Sequence, residues 1–348
     1  MYRERKTFAH ALEQRLHRAH YSSVRSSLSN VRKLLRRFAN HELVSIDEQT
    51  RTALNARFDA LINTDFVNFR LGYYPRSVLF QMPWAAGPRI FSRFVKEVLN
   101  QRKKAASKKV SEFDDCYQLE DYPEYYRHNF HWQTNGYLSE GSAELYALSV
   151  EFLFMGLANV MRRQLIPDIV RHARRASRTN LRVLDVACGT GELLDQISTT
   201  LPESQLHGID LSPAYIRCAK DKFASLRDTS LMTANAEALP YRDNYFDVVT
   251  NVYLLHELPL DARHKALSEM LRVLKPGGIL LIQDSLQNGD APDLQTLLGR
   301  YGEEANEPYF DCYLADDVAN QLRNLGATVQ RSFDSFVAKT VVVQKPID

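Results

Sequence analysis

The carboxyl-terminal half of this 348-residue chain predicts an α/β fold with a largely parallel sheet, preceded by a large helical extension. Two observations indicate the sheet. Short apolar runs alternate with helix-like runs from about Leu181 onward, and a glycine-broken turn, "VACGTG", follows the first apolar run. A third observation sets the extension apart, because the apolar residues of 1–40 recur at helical spacing within a strongly basic sequence. We therefore expect a helical region over 1–120, an aromatic-rich lid and long helix over 121–180, and the sheet domain over 181–348.

The amino-terminal region predicts helices whose outer faces are basic. Residues 1–40 hold ten Lys or Arg against two Asp or Glu, and the spacing of Ser45 and Glu48 predicts a capping box for the next helix. A basic run turns acidic around "QRKKAASKK", residues 101–109, which we expect to be a linker. The basic face has two interpretations: a solvated surface, or a contact for nucleic acid or anionic lipid.

Composition favours a soluble globular protein of a reducing compartment. The chain is 45% hydrophobic and 25% charged, with a net charge of +2. Its few cysteines form no C-x-x-C pair, which argues against a disulfide framework or a zinc site. The amino terminus lacks the apolar core of a secretory signal, so we expect a cytoplasmic protein. The longest apolar stretch, Leu145–Met161, contains Glu151 and Asn159 and predicts a buried helix.

The segment 125–146 is dense in aromatic residues and predicts a lid over a ligand pocket. Such side chains form an apolar wall with a few polar groups, suited to a planar or lipid-like ligand. The candidate pocket residues are Phe130, His131, Trp132 and Tyr137. The alternative is that these aromatics attach the amino-terminal helices to the sheet. His128 and His131 have a spacing that allows metal ligation, but we find no third ligand in the sequence and expect no metal.

Seven strands are expected in the sheet domain. The apolar runs are "RVLDVA", "QLHGID", "SLMTANA", "FDVVTNVYLL", "GGILLIQD", "ATVQRSF" and "FVAKTVVVQK". The first five are separated by helical segments, which predicts parallel pairing. The last two have only a short join, so the final strand is expected to be antiparallel.

The glycine turn predicts a nucleoside cofactor without phosphates. Gly189 and Gly191 supply the first two glycines of a dinucleotide fingerprint, but Leu194 occupies the third position and no Walker loop is present. The carboxylate of Asp185 would repel a pyrophosphate and suits a ligand with sulfonium and ammonium charges. Asp210 ends the second strand, 19 residues after Gly191, where an acid can accept hydrogen bonds from both ribose hydroxyls. Its alternative role is to cap the following helix.

Four motifs in order, "VLDVACGTG", "GIDLSP", "ANAEALPYRDNYFDVV" and "EMLRVLKPGGILLI", resemble the class I S-adenosylmethionine-dependent methyltransferases, in the UbiE-like (methyltransferase type 11) group. The resemblance covers about residues 181–344. It implies a seven-stranded Rossmann-like sheet whose last strand is antiparallel, S-adenosyl-L-methionine as cofactor, and methyl transfer as activity.

The resemblance also implies roles for individual residues. Those expected beside the methionine and ribose are Asp185, Ala187, Gly189 and Gly191, with Asp210 on the ribose hydroxyls. Leu211 would pack on the adenine, and Asn235 and Ala236 stand where many members carry Asp-Ala and bind the adenine amino group. Asn251 would lie beside the methionine end, or be a turn residue only.

Catalytic candidates follow the fourth strand in "NVYLLHELP". His256 is the first candidate for a general base, because an unperturbed imidazole titrates near neutral pH, and Tyr253 is the second. The alternative is that His256 only packs against the next helix. A base is needed only when the acceptor carries a proton to lose.

The sequence therefore predicts a methyltransferase acting on a small molecule, aromatic, quinone-like or lipid-like, beneath the helical region 1–120 as a substrate cap. Two alternatives stay open. One is an RNA or protein methyltransferase docking through the basic helices, although "NVYLLHELP" lacks the N-P-P-[YF] type of stretch. The other is a regulatory protein that binds the cofactor without turnover.

Overall fold

The computed structural model describes the backbone of residues 2–37, 47–82, 87–107 and 112–347. The α-helices of these residues are α1 Tyr2–Arg37, α2 Glu48–Arg70, α3 Arg76–Leu79, α4 Gly87–Ser107, α5 Glu140–Leu153, α6 Ala158–Arg162, α7 Ile166–Arg175, α8 Glu192–Thr200, α9 Pro213–Lys222, α10 Leu260–Val273, α11 Gln295–Ala305, α12 Phe310–Leu314 and α13 Val318–Asn324. The strands are β1 Arg182–Val186, β2 Gln205–Asp210, β3 Thr229–Thr233, β4 Phe246–Val252, β5 Leu274–Ser285, β6 Thr328–Ser335 and β7 Ala338–Gln344.

The described strands form one seven-stranded sheet in the order β3-β2-β1-β4-β5-β7-β6. Strands β1 to β5 pair in parallel, and β7 runs antiparallel to both β5 and β6. The Rossmann-like α/β fold and the antiparallel last strand predicted from the sequence are therefore confirmed. The short join between β6 and β7 allows only a hairpin, whereas parallel pairing needs a longer crossover.

Both faces of the sheet are covered, which explains why its inner strands are almost continuously apolar. Leu184 and Val186 of β1 face a core completed by α10 and α13. Val183, between them in sequence, faces the opposite core, completed by α7, α8 and α9. The chain leaves β1 on one side to form β2 and β3 and returns on its other side as β4. This reversal opens a crevice at the carboxyl ends of β1 and β4, where open α/β sheets bind ligands.

The amino-terminal helices are joined to the sheet domain by a buried polar cluster. Arg163 follows α6, and its Nε and Nη2 donate to the two carboxylate oxygens of Asp65 in α2, at 2.6 and 2.7 Å. His17 of α1 lies 2.9 Å from the same carboxylate, and the Tyr74 hydroxyl donates to it at 2.7 Å. Burial opposes ionisation of Asp65, but Arg163 and His17 lower its pKa to about 2. The cluster is thus an ion pair inside the protein.

Several local expectations for the amino-terminal half need correction. Ser45 lies outside the described residues, and the helix after it is capped by Asp47, whose carboxylate accepts a hydrogen bond from Thr50 N at 2.7 Å. The segment expected to be a linker, 101–109, is helical through Ser107, because α4 continues to that residue.

The apolar stretch Leu145–Met161 is not one helix. Helix α5 ends at Leu153, the chain turns at Gly156 with φ +83°, and α6 begins at Ala158. The buried Glu151 carboxylate accepts hydrogen bonds from the amides of Ala158 and Asn159, at 3.1 and 2.8 Å. The glutamate that interrupts the apolar run therefore caps the second helix. Among the described residues no single helix has the length and apolarity for a membrane span, although the bent pair Glu140–Leu153 and Ala158–Arg175 meets those two criteria together.

Candidate active site

The turn after β1 brings its backbone to the crevice by using left-handed conformations. Ala187, Gly189 and Gly191 have φ values of +58°, +57° and +85°. A Cβ atom on Gly191 would lie 2.5 Å from Cε2 of Phe223, and one on Gly189 would lie 3.3 Å from Cε1 of Tyr146. Glycine is thus required at Gly191 by both conformation and space.

Two carboxylates flank this turn in a desolvated environment. The Asp210 oxygens accept hydrogen bonds from the amides of Gly189 and Ser212, both at 2.9 Å. Burial raises the pKa of Asp210 to about 6. Asp185 is 3% exposed and accepts a hydrogen bond from Thr250 Oγ1 at 2.6 Å, and burial raises its pKa to about 7. Carboxylates held in this way favour a positively charged neighbour.

A cavity lies between the turn and the aromatic segment. Its empty volume, which includes the open solvent at its mouth, is about 1040 Å³. The predicted cofactor residues in its wall are Ala187, Gly189, Asp210, Leu211, Asn235 and Ala236. Asp185, Gly191 and Asn251 lie outside that wall. Asn251 Nδ2 donates to the carbonyl of Val186 at 2.8 Å, and this bond fixes the end of β1 against β4.

The opposite wall comes from the segment predicted to be a lid. Phe130, His131 and Tyr137 line the cavity, and the Phe130 and Tyr137 rings stack with centroids 5.7 Å apart. Trp132 does not line it, because its indole Nε1 points away and donates to the carbonyl of Glu304 at 2.8 Å. Aromatic wall residues that the sequence did not single out are Tyr146, Phe154, Tyr215 and Tyr301.

The described residues of 1–120 supply none of this wall. They contact the lid from outside: Glu97 of α4 accepts a hydrogen bond from Thr134 N at 2.9 Å. Arg32 of α1 donates to the carbonyls of Phe152 and Leu153, at 2.7 and 2.8 Å. The substrate-cap role predicted for this region stays a prediction.

His256 lies in a buried cluster of acidic groups. Its Nδ1 is 2.5 Å from Oδ1 of Asp284, and its Nε2 is 3.4 Å from Oε2 of Glu307. Burial opposes protonation of the ring, but Asp284 and Glu307 raise its pKa to about 10. His256 is thus an imidazolium at neutral pH. The sequence argument for a general base assumed an unperturbed imidazole, whereas this pKa is raised; the catalytic role of His256 stays a prediction.

Glu257 and Glu307 lie on the cavity side of this cluster. Glu257 Oε1 accepts a hydrogen bond from the Tyr137 hydroxyl at 2.5 Å and is 3.9 Å from His131 Nε2. The same His131 nitrogen is 3.3 Å from Glu307 Oε1. Burial raises the pKa of both glutamates, and burial together with His256 lowers that of His131 to about 3. No sequence signal pointed to Glu307, which lies 50 positions after Glu257 in the chain.

Tyr253 follows β4 in a left-handed conformation with φ +57°. It lines the cavity, its ring stacks on Phe154 with centroids 5.2 Å apart, and its hydroxyl is 3.4 Å from Met161 Sδ. Burial raises its pKa, so the phenol stays protonated and forms part of the wall.

Comparison with protein families identifies the domain that carries this site. Residues 183–278 match the family described as "Methyltransferase domain". These residues form a methyltransferase domain. It is of the class I S-adenosylmethionine-dependent type, with S-adenosyl-L-methionine as its cofactor, as the sequence predicted.

Curated relatives of this chain include the "Demethylmenaquinone methyltransferase" of Staphylococcus aureus strains JH9 and Newman. Each is 38% identical over 111 residues, which is 32% of this chain and 45% of the relative. The chain thus spans less than half the length of these relatives. Similar solved structures include the [4+2]-cyclase SpnF, with 21% identity, a TM-score of 0.41 and coverage of 53% of this chain and 83% of that one. A methyltransferase from Aquifex aeolicus has 22% identity, a TM-score of 0.37 and coverage of 50% and 87%.

The residues around the glycine turn after β1 fit S-adenosyl-L-methionine. Gly189 lies in the cavity wall, and a Cβ atom there would lie 3.3 Å from Cε1 of Tyr146, another wall residue, so glycine keeps the backbone open to the cavity at this position. Asp210 has its two oxygens fixed by backbone amides and faces the cavity, as a ribose acceptor must. Asp185 and Asp210 are desolvated carboxylates with raised pKa values, which suits a ligand with a net positive charge.

Proposed function

We propose that this protein transfers a methyl group from S-adenosylmethionine to a small aromatic, quinone-like or lipid-like acceptor. One observation carries the proposal: a single cavity has the glycine turn and Asp210 on one side and a wall of aromatic rings on the other. The first side suits the cofactor. The second suits a planar apolar molecule with few polar groups.

The cofactor, when bound, supplies an electrophilic methyl group, which moves to the acceptor's nucleophilic atom while the electron pair of the broken C–S bond stays on sulfur. Asp210 and the turn from Ala187 to Gly191 hold the nucleoside and fix its position. Tyr126, Phe130 and Tyr137 exclude water and orient the acceptor, so that alignment supplies much of the rate enhancement. All three are cavity residues.

His256 contributes by position in this proposal. Held as an imidazolium between Asp284 and Glu307, it fixes both carboxylates beside the acceptor side of the cavity. Tyr253 contributes its ring to the wall. The amino-terminal helices support the lid through Glu97 and the end of α5 through Arg32, so we propose that residues 1–120 cover the substrate indirectly.

The quinone-like acceptor class is favoured by the names of the Staphylococcus aureus relatives, whose similarity covers 111 residues of this chain. An aromatic wall is the complement that a fused-ring quinone would need. The aromatic side of the cavity comes mostly from residues before 183, outside the region that matches the family. We therefore propose the acceptor class from the chemistry of these side chains and not from sequence identity to the relatives.

The alternative of an RNA methyltransferase draws on the basic amino terminus. Among the described side chains there, Arg18 pairs with Asp59 at 2.8 Å, and Arg25 donates to Asn55 at 2.7 Å. Arg32 is engaged by α5, as described above. In these contacts the arginine side chains are engaged within the protein, whereas nucleic-acid binding needs them at the phosphates. We therefore favour the small-molecule acceptor.

The test starts with calorimetric titration of the full chain with S-adenosylmethionine, for which we expect one site per chain. Methyl transfer is then measured by mass spectrometry with naphthoquinols, phenols, isoprenoid lipids, bulk RNA and protein extract as acceptors. Transfer to one of the first three classes supports the proposal. Absence of cofactor binding overturns it, and transfer to RNA with steeply salt-dependent binding selects the alternative.

A further inference from the structure

We propose that His131, Glu257 and Glu307 form a site for a divalent first-row metal ion at the acceptor side of the cavity. The binding site stands on geometry alone, and only its role rests on the proposed function. The three side chains come from the lid, the turn after β4 and the loop after α11. They meet only in the folded chain.

The geometry fits a single ion. One ligand atom from each of the three residues lies within 4.8 Å of the other two. The His131 Nε2 to Glu307 Oε1 distance is 3.3 Å, and the His131 Nε2 to Glu257 Oε1 distance is 3.9 Å. Ligands about 2.1 Å from a common ion stand roughly 3 to 4 Å apart, so small side-chain shifts close the site.

The environment of Glu307 gives an independent indication that a cation binds here. Its side chain is fully buried, yet neither carboxylate oxygen has a hydrogen-bond partner among the described residues. His131, His256 and Tyr301 approach it, but none makes a hydrogen bond of good geometry. His256 pairs with Glu307 by charge but leaves both of its oxygens without hydrogen bonds, and a cation between Glu307 and Glu257 would coordinate them.

The ligand types of the cluster fit a divalent first-row ion. One imidazole and two carboxylates are a ligand set that suits Mn²⁺, Fe²⁺ or Zn²⁺ better than Ca²⁺.

The site is open on the cavity side, since His131 and Glu257 belong to the same wall as Gly189 and Asp210. Three protein ligands with remaining open positions are typical of metals that hold a substrate. An ion here would bind an oxygen substituent of the acceptor and orient it in the cavity. The proposal thus deepens the acceptor assignment, from an aromatic molecule to one with a metal-binding oxygen.

The experiment titrates metal-free full-length protein with MnCl₂, following free Mn²⁺ by electron paramagnetic resonance, and with ZnCl₂ by calorimetry. We expect one site per chain. Glu307→Gln and His131→Asn should weaken binding at least about tenfold. Asparagine is chosen because His131 has φ +53°, a conformation that asparagine tolerates.

Two exposed residues provide matched controls. Glu304→Gln lies three positions before Glu307, and His264→Ala removes a histidine from the outer face of α10. Both should bind the ions as the unmodified protein does. A cooperative thermal melt and retained S-adenosylmethionine binding show that Glu307→Gln folds.

Three results overturn the proposal: no saturable binding of either ion, equal binding in Glu307→Gln, or loss of binding in His264→Ala instead. If the protein binds S-adenosylmethionine and transfers methyl groups but fails this test, the proposed function stands without the metal. If the ions bind and S-adenosylmethionine does not, the metal site stands and the proposed function fails.

Discussion

At the residue scale, the site is defined by buried charges whose ionisation depends on their neighbours. Asp185 and Asp210 are separated by 25 positions in sequence, yet both are desolvated beside one turn. His256 has the opposite environment, since two carboxylates hold it protonated. Desolvation therefore favours a cation at the turn, whereas neighbouring carboxylates raise the pKa of the histidine above the value that residue type alone suggests.

The raised pKa values of Asp210 and Asp185, about 6 and about 7, predict that cofactor affinity depends on pH. A cationic cofactor is attracted by ionised carboxylates in and behind the cavity wall, so affinity should rise with pH from about 5 to about 8 and then level off. Calorimetry across this range is the measurement. An affinity that is flat or falls with pH would contradict the assignment.

Asp210→Asn should weaken S-adenosylmethionine binding by roughly 10- to 100-fold, the usual loss for a hydrogen bond to a charged group. It should also reduce the pH dependence. Asp221→Asn, an exposed aspartate on the following helix, is the control and should bind as the unmodified protein does.

His256→Ala should lower the free energy of unfolding by about 3 to 5 kcal/mol, because it leaves Asp284 and Glu307 buried without their positive partner. Urea denaturation at pH 7 measures this. His264→Ala, an exposed histidine nearby in sequence, should change the value by no more than about 0.5 kcal/mol. Equal effects of the two substitutions would show that the cluster is not an ion pair.

At the element scale, the unit formed by β1, the glycine turn and α8 was predicted well. Its signals are local: an apolar run, positions that need positive φ, and a helix start. The aromatic lid was predicted as a segment, but its turns placed Trp132 outside the cavity. Which side chains of an irregular segment face a ligand depends on turns that have no sequence period.

Gly191→Ala should lower the free energy of unfolding by at least about 1 to 2 kcal/mol and impair cofactor binding, since alanine strains φ +85° and its Cβ meets Phe223. Gly299→Ala is the matched control within α11, where a Cβ has open space. Helix propensity predicts that it stabilises the protein by up to about 1 kcal/mol. Thermal and urea unfolding of both variants measure whether Gly191→Ala lowers, and Gly299→Ala raises, the free energy of unfolding.

At the scale of the whole molecule, the amino-terminal helices and the methyltransferase domain share buried cores. Tyr21 of α1 and Ile62 of α2 pack with Val160 and Met161 of α6, and with Phe336 at the β6–β7 turn. The Asp65–Arg163 ion pair crosses this same boundary. The two parts are therefore expected to unfold together.

Asp65→Asn tests this coupling. It leaves Arg163 buried without its carboxylate, so the free energy of unfolding should fall by about 3 to 5 kcal/mol. Asp59→Asn, on the same helix, breaks only the exposed pair with Arg18 and should cost no more than about 1 kcal/mol. Urea denaturation followed by both circular dichroism and tyrosine fluorescence should give one transition; two separate transitions would contradict the shared core.

The sequence by itself determined the sheet, its antiparallel last strand, the glycine turn and the acid at Asp210. These follow from periodicity, spacing and backbone conformation, which act over a few residues. Tertiary structure decided the raised pKa of His256, the turn at Gly156 between α5 and α6, and the proximity of Glu307 to His131 and Glu257. These depend on desolvation and on contacts between distant positions, and no local pattern encodes which groups the fold will bury together.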